Sequence, residues 1–399
     1  MKNKMGLPRN VRALSLCSFF TDVSTEVILN VLPLYLTATG VSATVIGLIE
    51  GVAESAASLL KMVSGRISDR IGSRKWPAVA GYTISAFTKP LFYFAQGWLF
   101  IALVRWTDRL GKGVRGAPRD ALLADSIEPE RRGYAFGFHR AADTAGAFIG
   151  ILISLFVVWK FQGQRASLEE ETFRTIVLVS IIPSFLAVFV LLLGTKDIFR
   201  KKTNRETTLP LRSLGKRFFL FLLITGLFDL GNFSDAFVIM RANDLGTSVV
   251  GILGMLLVFN MVYSLVSAPA GILSDKIGKK KMMLLGWSIY LAISLELALA
   301  NSTYHVLIYY ILNGLFYGTS YGTAKAIIAD IVPVEERGSA YGAYNAVQGL
   351  LDLPASLIAG ILWSGVGGFK GFGPEAPFLF AAGTSFLAIL LLFYWKEGE

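Results

Sequence analysis

Histidine and cysteine are nearly absent, with 2 and 1 in 399 residues. Cys17 has no partner for an internal disulfide. With only His139 and His305 present, no Cys/His cluster suggests a metal site. Charge is scarce too: 17% of residues are charged against 54% hydrophobic, and the mean hydropathy is +0.57. A soluble domain of this length would not carry so large an apolar excess. Also missing is any stretch long enough to form a soluble catalytic domain. An enzyme is thereby disfavoured.

What is present is a succession of apolar stretches, each near the roughly 20 residues that a membrane-spanning helix needs. They run over about 13–39, 44–66, 76–95, 98–121, 134–157, 174–194, 218–240, 248–272, 282–300, 304–328, 339–363 and 376–395. The expectation is an all-α integral membrane protein of about twelve transmembrane helices. The first stretch follows Lys2, Lys4, Arg9 and Arg12, as a signal peptide would. It runs too long and holds Asp22 and Glu26, so it reads as a retained helix.

The net charge of +10 could suggest nucleic acid, but its distribution argues for a bilayer. With the N-terminus in the cytosol, alternate connections gather Arg70, Arg74, Lys75, Arg131, Arg132, the basic stretch 196–217, Lys276, Lys279, Lys280, Lys281 and Arg337. The other side receives mainly Lys160, Arg165, Arg241 and Lys370. This positive-inside bias places both termini in the cytosol, and the expected location is a bacterial inner (plasma) membrane. No nucleic-acid partner is implied.

The chain repeats itself. GRISDRIGSRK (65–75) returns as GILSDKIGKKK (271–281). ADSIEPERRGYAFG (124–137) returns as ADIVPVEERGSAYG (329–342). FFTDVSTEV resembles LFDLGNFSD through Asp22 and Asp229. Three matches in one order divide the chain into a six-helix bundle, 1–195, a cytosolic basic linker, 196–217, and a second bundle, 218–399. Parallel repeats of this kind build transporters.

On these motifs the whole chain resembles the major facilitator superfamily. Its loop signature G-x-x-x-D-R-x-G-x-R-R is matched by Gly65, Asp69, Arg70, Gly72, Arg74 and Lys75, and again by Gly271, Asp275, Lys276, Gly278, Lys280 and Lys281. The resemblance implies a rocking, alternating-access carrier that works as a monomer. Its first, fourth, seventh and tenth helices line the cavity, and these loops hold the cytosolic side closed. Two family marks are imperfect. Arg105 is followed by Asp108 and Arg109 where the family pattern R-x-x-Q-G has Gln and Gly. The fifth helix, DTAGAFIG, lacks the Gly-Pro pair of drug–proton antiporters.

One stretch needs its own account. DRLGKGVRGAPRD (108–120) carries Gly111, Gly113 and Gly116 in the spacing G-x-G-x-x-G, which can cradle a dinucleotide. That reading needs a preceding strand, yet GWLFIALVRW opens a membrane helix. As a helix, Arg105, Asp108, Lys112, Arg115 and Arg119 fall on one face, with Arg109 beside it. A charge facing lipid at mid-membrane costs roughly 2.5–3.5 kcal/mol, so the stripe must face water or partners. Candidate partners are Asp22 and Glu26, Glu50 and Glu54, and His139 with Asp143, each pair one turn apart.

The expected substrate and proton pathway is therefore Asp22, Glu26, Arg105, Asp108, Arg109, Lys112, Arg115 and Asp143, joined by Asp229 and Asn232 from the seventh helix. Glu50, Lys61 and Lys89 read as static salt-bridge residues. Aromatics around the seventh and tenth helices, among them Phe228, Phe233, Phe316, Tyr317 and Tyr321, suggest apolar substrate contact in the second half. The expected activity is secondary transport of a small organic solute, with protons as coupling ion and a preference for an anionic group. No other cofactor is expected. A multidrug-type proton antiporter is the alternative, and a non-transporting sensor a third reading.

Overall fold

The computed structural model describes residues 6–198, 214–320, 323–333 and 336–395. Most of the expected linker lies outside the described residues, as do Lys2, Lys4, Tyr321 and Gly322. Among the described residues the protein is all-α. The first half comprises α1 (Arg9–Leu29), α2 (Leu32–Ala38), α3 (Ala43–Ile71), α4 (Lys75–Leu91), α5 (Trp98–Asp125), α6 (Arg132–Gln162) and α7 (Glu170–Gly194). The second comprises α8 (Gly215–Asp229), α9 (Ala236–Asp244), α10 (Val249–Ile277), α11 (Lys279–Ala298), α12 (Thr303–Ser320), α13 (Thr323–Ile331), α14 (Arg337–Ser364) and α15 (Ala376–Tyr394).

Where described, the expected spans are helical, but the first and seventh are broken, and in the tenth residues 321–322 lie outside the described residues. In the first, Pro33 removes the N–H that would bond back to the preceding turn, and the chain restarts at Leu32. In the seventh, Gly231, Asn232, Ser234 and Asp235 separate α8 from α9, residues that favour turns over helix interiors.

The repeat is visible in the packing. α1 packs on α6 and α7 as α8 packs on α14 and α15, and α4 packs on α5 and α7 as α11 packs on α12 and α15. The equivalent helices α3 and α10 have the same 29-residue length. By contact, the chain forms two compact units: Met1–Tyr35, Ala56–Gly163 and Leu168–Arg205, and Leu36–Ser55, Gln164–Ser167 and Glu206–Glu399. These contact-defined units differ from the sequence repeat because the first turns of α3 lie against α14, where Thr44 Oγ1 donates to the Gly360 carbonyl at 2.9 Å.

Among the described residues, eight helical stretches are long and apolar enough to cross a membrane. α5 is too densely charged to be among them. In α7 the most apolar window has a hydropathy of 3.0, yet only 33% of it is buried. Ile182, Phe189 and Leu193 point outward. So much exposed apolar surface is stable only against lipid tails, and the protein is an integral membrane protein.

Candidate functional site

The glycines of 108–120 lie mid-helix in α5 and serve contact. A Cβ on Gly111 would sit 2.6 Å from Ser85 Oγ and 2.7 Å from the Gly81 carbonyl of α4. One on Gly113 would sit 2.8 Å from the Ala57 carbonyl of α3. Gly81 answers from α4, where a Cβ would meet the Arg115 nitrogen at 2.6 Å. Small residues let the helix backbones touch. Neither a strand nor a turn stands here, so the phosphate-loop geometry is absent.

Close approach of α4 and α5 brings their polar side chains together. Lys89, Arg105 and Asp108 are 1%, 1% and 4% exposed. Lys89 Nζ lies 3.2 Å from Asp108 Oδ1, and Arg105 3.9 Å from Oδ2. Thr88 donates to the same carboxylate at 3.4 Å. Arg115 donates to Ser85 Oγ at 2.5 Å, and Ser85 donates to the Asp108 carbonyl at 3.1 Å. The Arg115 guanidinium lies over the Tyr82 ring, 4.7 Å from its centroid. Arg109 is also buried, whereas Lys112 is exposed, so the five-residue stripe is not uniform. The static reading of Lys89 and the pathway reading of Asp108 concern one ion pair.

Toward the other end of α5, Arg119 bonds Asp120 at 2.8 Å, and Lys61 lies 3.4 Å from the same carboxylate. Asp22 on α1 has Asp143, Glu26, Arg115 and Arg119 within Coulombic range. Glu26 accepts from Asn30 at 2.9 Å. His139 and Asp143 on α6 are 3.7 Å apart, too far for a hydrogen bond. Asp143 Oδ1 and both His139 ring nitrogens are buried without hydrogen-bond partners. The structure therefore gathers Asp22, Glu26, Arg115 and Asp143, with Arg119, in one unit. Glu50 is buried in the other contact unit.

The two loop signatures take equivalent shapes. Gly72 and Gly278 both have positive φ, 76° and 94°, a conformation that side chains resist. Arg74 reaches Asp125 at 3.7 Å, and Lys279 reaches the repeat-equivalent Asp330 at 2.6 Å. Lys75 donates to the Leu192 and Thr195 carbonyls at the end of α7. Lys280 donates to the Phe393 and Trp395 carbonyls at the end of α15. Arg132 bonds the Ala124 carbonyl as Arg337 bonds that of Ala329. Asp69 pairs with Arg74 at 2.5 Å, while Arg70, Gly271 and Asp275 are exposed. The first loop has an extra partner in Asp197. Burial works against its charged form, but Ser73 and the backbone N–H groups of Lys75, Arg74 and Ile198 donate to it. The bonds win and hold its carboxyl below the ordinary range.

In the second unit, Asp229 and Asn232 line a cavity of about 180 Å³ with Phe228, Trp287, Phe316, Tyr317 and Lys325. Phe228 stacks on Trp287 with centroids 4.4 Å apart, and Tyr290 packs on Phe316 at 4.8 Å. Gln348, also on the wall, donates to Tyr344 at 2.8 Å. Asp229 Oδ2 is buried with no hydrogen-bond partner.

Sequence reasoning missed Tyr82, Ser85, Thr88 and Asp197 in the first half, and Trp287, Tyr344 and Gln348 in the second. Only Ser85 had a signal, four residues after Gly81 on the same helix face. The others lie on helices with no charged stripe to draw attention to them, except Asp197, which follows the end of α7.

The sequence model of the Major Facilitator Superfamily matches residues 14–240 and again 219–399. An uncharacterised MFS-type transporter of Methanocaldococcus jannaschii is 34% identical over 400 residues, spanning 98% of this chain and 96% of that protein. Multidrug resistance protein 2 of Bacillus subtilis is 32% identical over 152 residues, 37% of this chain and 35% of that one. The crystal structure of a nucleoside transporter shares the fold, with a TM-score of 0.78 at 14% identity over 96% of this chain and 99% of that chain.

Proposed function

The chain belongs to the major facilitator superfamily, and on that premise we propose a proton-coupled carrier of a small organic solute with an anionic group. Secondary transport, as opposed to enzymatic chemistry, is the activity of the family. One observation carries the finer reading: acids and bases share the interior of lipid-embedded helices. Asp22, Glu26 and Asp143 stand within reach of Arg115 and Arg119, and Asp143 Oδ1 has no hydrogen-bond partner. A carboxylate so placed takes or releases a proton as a charged solute changes its surroundings. The excess of bases on α5 over its carboxylates favours an anionic solute.

In this reading the two loops, with Asp69, Arg74, Asp275 and the turns at Gly72 and Gly278, act at the cytosolic gate. Both termini face the cytosol across the plasma membrane, a monomer forms the pathway, and 1–195 and 218–399 are the two rocking halves. A multidrug-type proton antiporter is the second reading, favoured by the partial match to a multidrug resistance protein. Uptake assays in proteoliposomes with organic anions and lipophilic cations separate the two. Anion transport supports the first, and cation transport alone supports the second. A folded protein that binds a solute without moving any would make it a sensor.

A further inference from the structure

We propose that the cavity of the second unit binds one aromatic ring that carries a protonated amine, with the ammonium set on Asp229. Size comes first. An engineered apolar cavity of about 150 Å³ holds one benzene. The cavity here is about 180 Å³, enough for one ring and a short polar arm.

The walls select a π-system. Phe228 and Trp287 are already stacked at 4.4 Å, and Phe316 stands 5.8 Å from Phe228. A ring added against such walls can make offset or edge-to-face contacts that stabilise beyond the area they bury. An ammonium beside these faces gains cation–π attraction.

Charge selects the arm. Gln348 reaches the Asp229 carboxylate, but its Oδ2 is buried at the cavity with no hydrogen-bond partner, an arrangement that leaves one acceptor for an N–H donor. Asp352 lies within Coulombic range of Asp229 and adds a second negative charge. The lysine on the wall, Lys325, sets one positive charge against these two carboxylates, which leaves the net charge negative. The local field therefore favours a cation, the opposite of the base-rich α5. The transport reading gives the cavity its purpose, but binding is read without any flux, so the two stand or fall separately.

The test is calorimetric titration of the detergent-purified full chain with three probes. 2-Phenylethylamine has ring and ammonium, 3-phenylpropionate has the ring with a carboxylate, and 2-cyclohexylethylamine has the ammonium without π-electrons. The expected result is that 2-phenylethylamine binds at least about 10-fold tighter than either control, the size of one charge-assisted hydrogen bond. Asp229→Asn should lose about the same factor, and Phe316→Leu should erase the preference over the cyclohexyl probe. Equal binding of the three probes to the wild-type chain overturns the proposal. So does absence of binding by folded protein, or full affinity in folded Asp229→Asn. The wild-type comparison needs no variant to fold.

Discussion

Asp108 shows how a residue's role follows from its neighbours. Its carboxylate answers Lys89 and Arg105 in a site from which water is excluded. Removing one partner of a buried pair leaves the other charge uncompensated, at a cost of about 3–5 kcal/mol. Asp108→Ala should therefore lower the melting temperature of the purified chain sharply, and an unchanged melting temperature would deny the ion pair its structural role. Asp22→Asn should instead leave melting unchanged and uncouple proton movement from solute movement. A mutant that stays coupled would remove Asp22 from the relay. The stripe on α5 was legible because helical spacing is fixed by geometry. The pairing of Lys89 with Asp108 was not, because it depends on how α4 and α5 are rotated against one another, and no single helix carries that information. Asp229 was legible through its alignment with Asp22, whereas Trp287 lay on an apolar helix that resembled ordinary core.

At the scale of elements, glycines decide which helices touch. Gly81→Ala would drive a Cβ into the Arg115 backbone at 2.6 Å, and overpacking of this kind costs about 1–3 kcal/mol. Gly137 on α6 has nothing within 4 Å of the same position. Gly137→Ala should leave stability unchanged or raise it by up to about 1 kcal/mol through helix propensity. Equal loss from both would mean that the α4–α5 contact is not limited by space. Asp197 gives a pH signature. Its carboxyl is held below the ordinary 3.8, so its stabilisation is present above that value and fades as pH falls through the lower, folded one. The melting difference between wild type and Asp197→Ala should be constant near neutral pH and close as pH falls below about 4. A difference that persists in acid would mean that the carboxylate is not what ties α7 to the start of α4. Helix identity was legible from apolar length, but the two breaks among the described residues were not. Pro33 and the run Gly231, Asn232, Ser234 carried signals that the surrounding apolar residues outweighed.

For the whole molecule, the repeat is the strongest link between sequence and structure. Arg132 and Arg337 bond equivalent carbonyls, and Lys75 and Lys280 close equivalent helix ends. The motifs predicted that the halves would match, and the contacts show that they do at these ends. The halves differ where chemistry is expected: α5 is densely basic, while its counterpart, α12 and α13, lines an aromatic cavity. Such asymmetry within a symmetric frame is what a carrier needs if the first half handles protons and an anionic group and the second contacts an aromatic part of the solute. The most direct test is proton flux in liposomes reconstituted with the purified chain, loaded with a pH dye and challenged with anionic, cationic and neutral solutes. The account predicts a pH change that requires a solute and disappears in Asp22→Asn. Solute movement with no accompanying proton movement would contradict it.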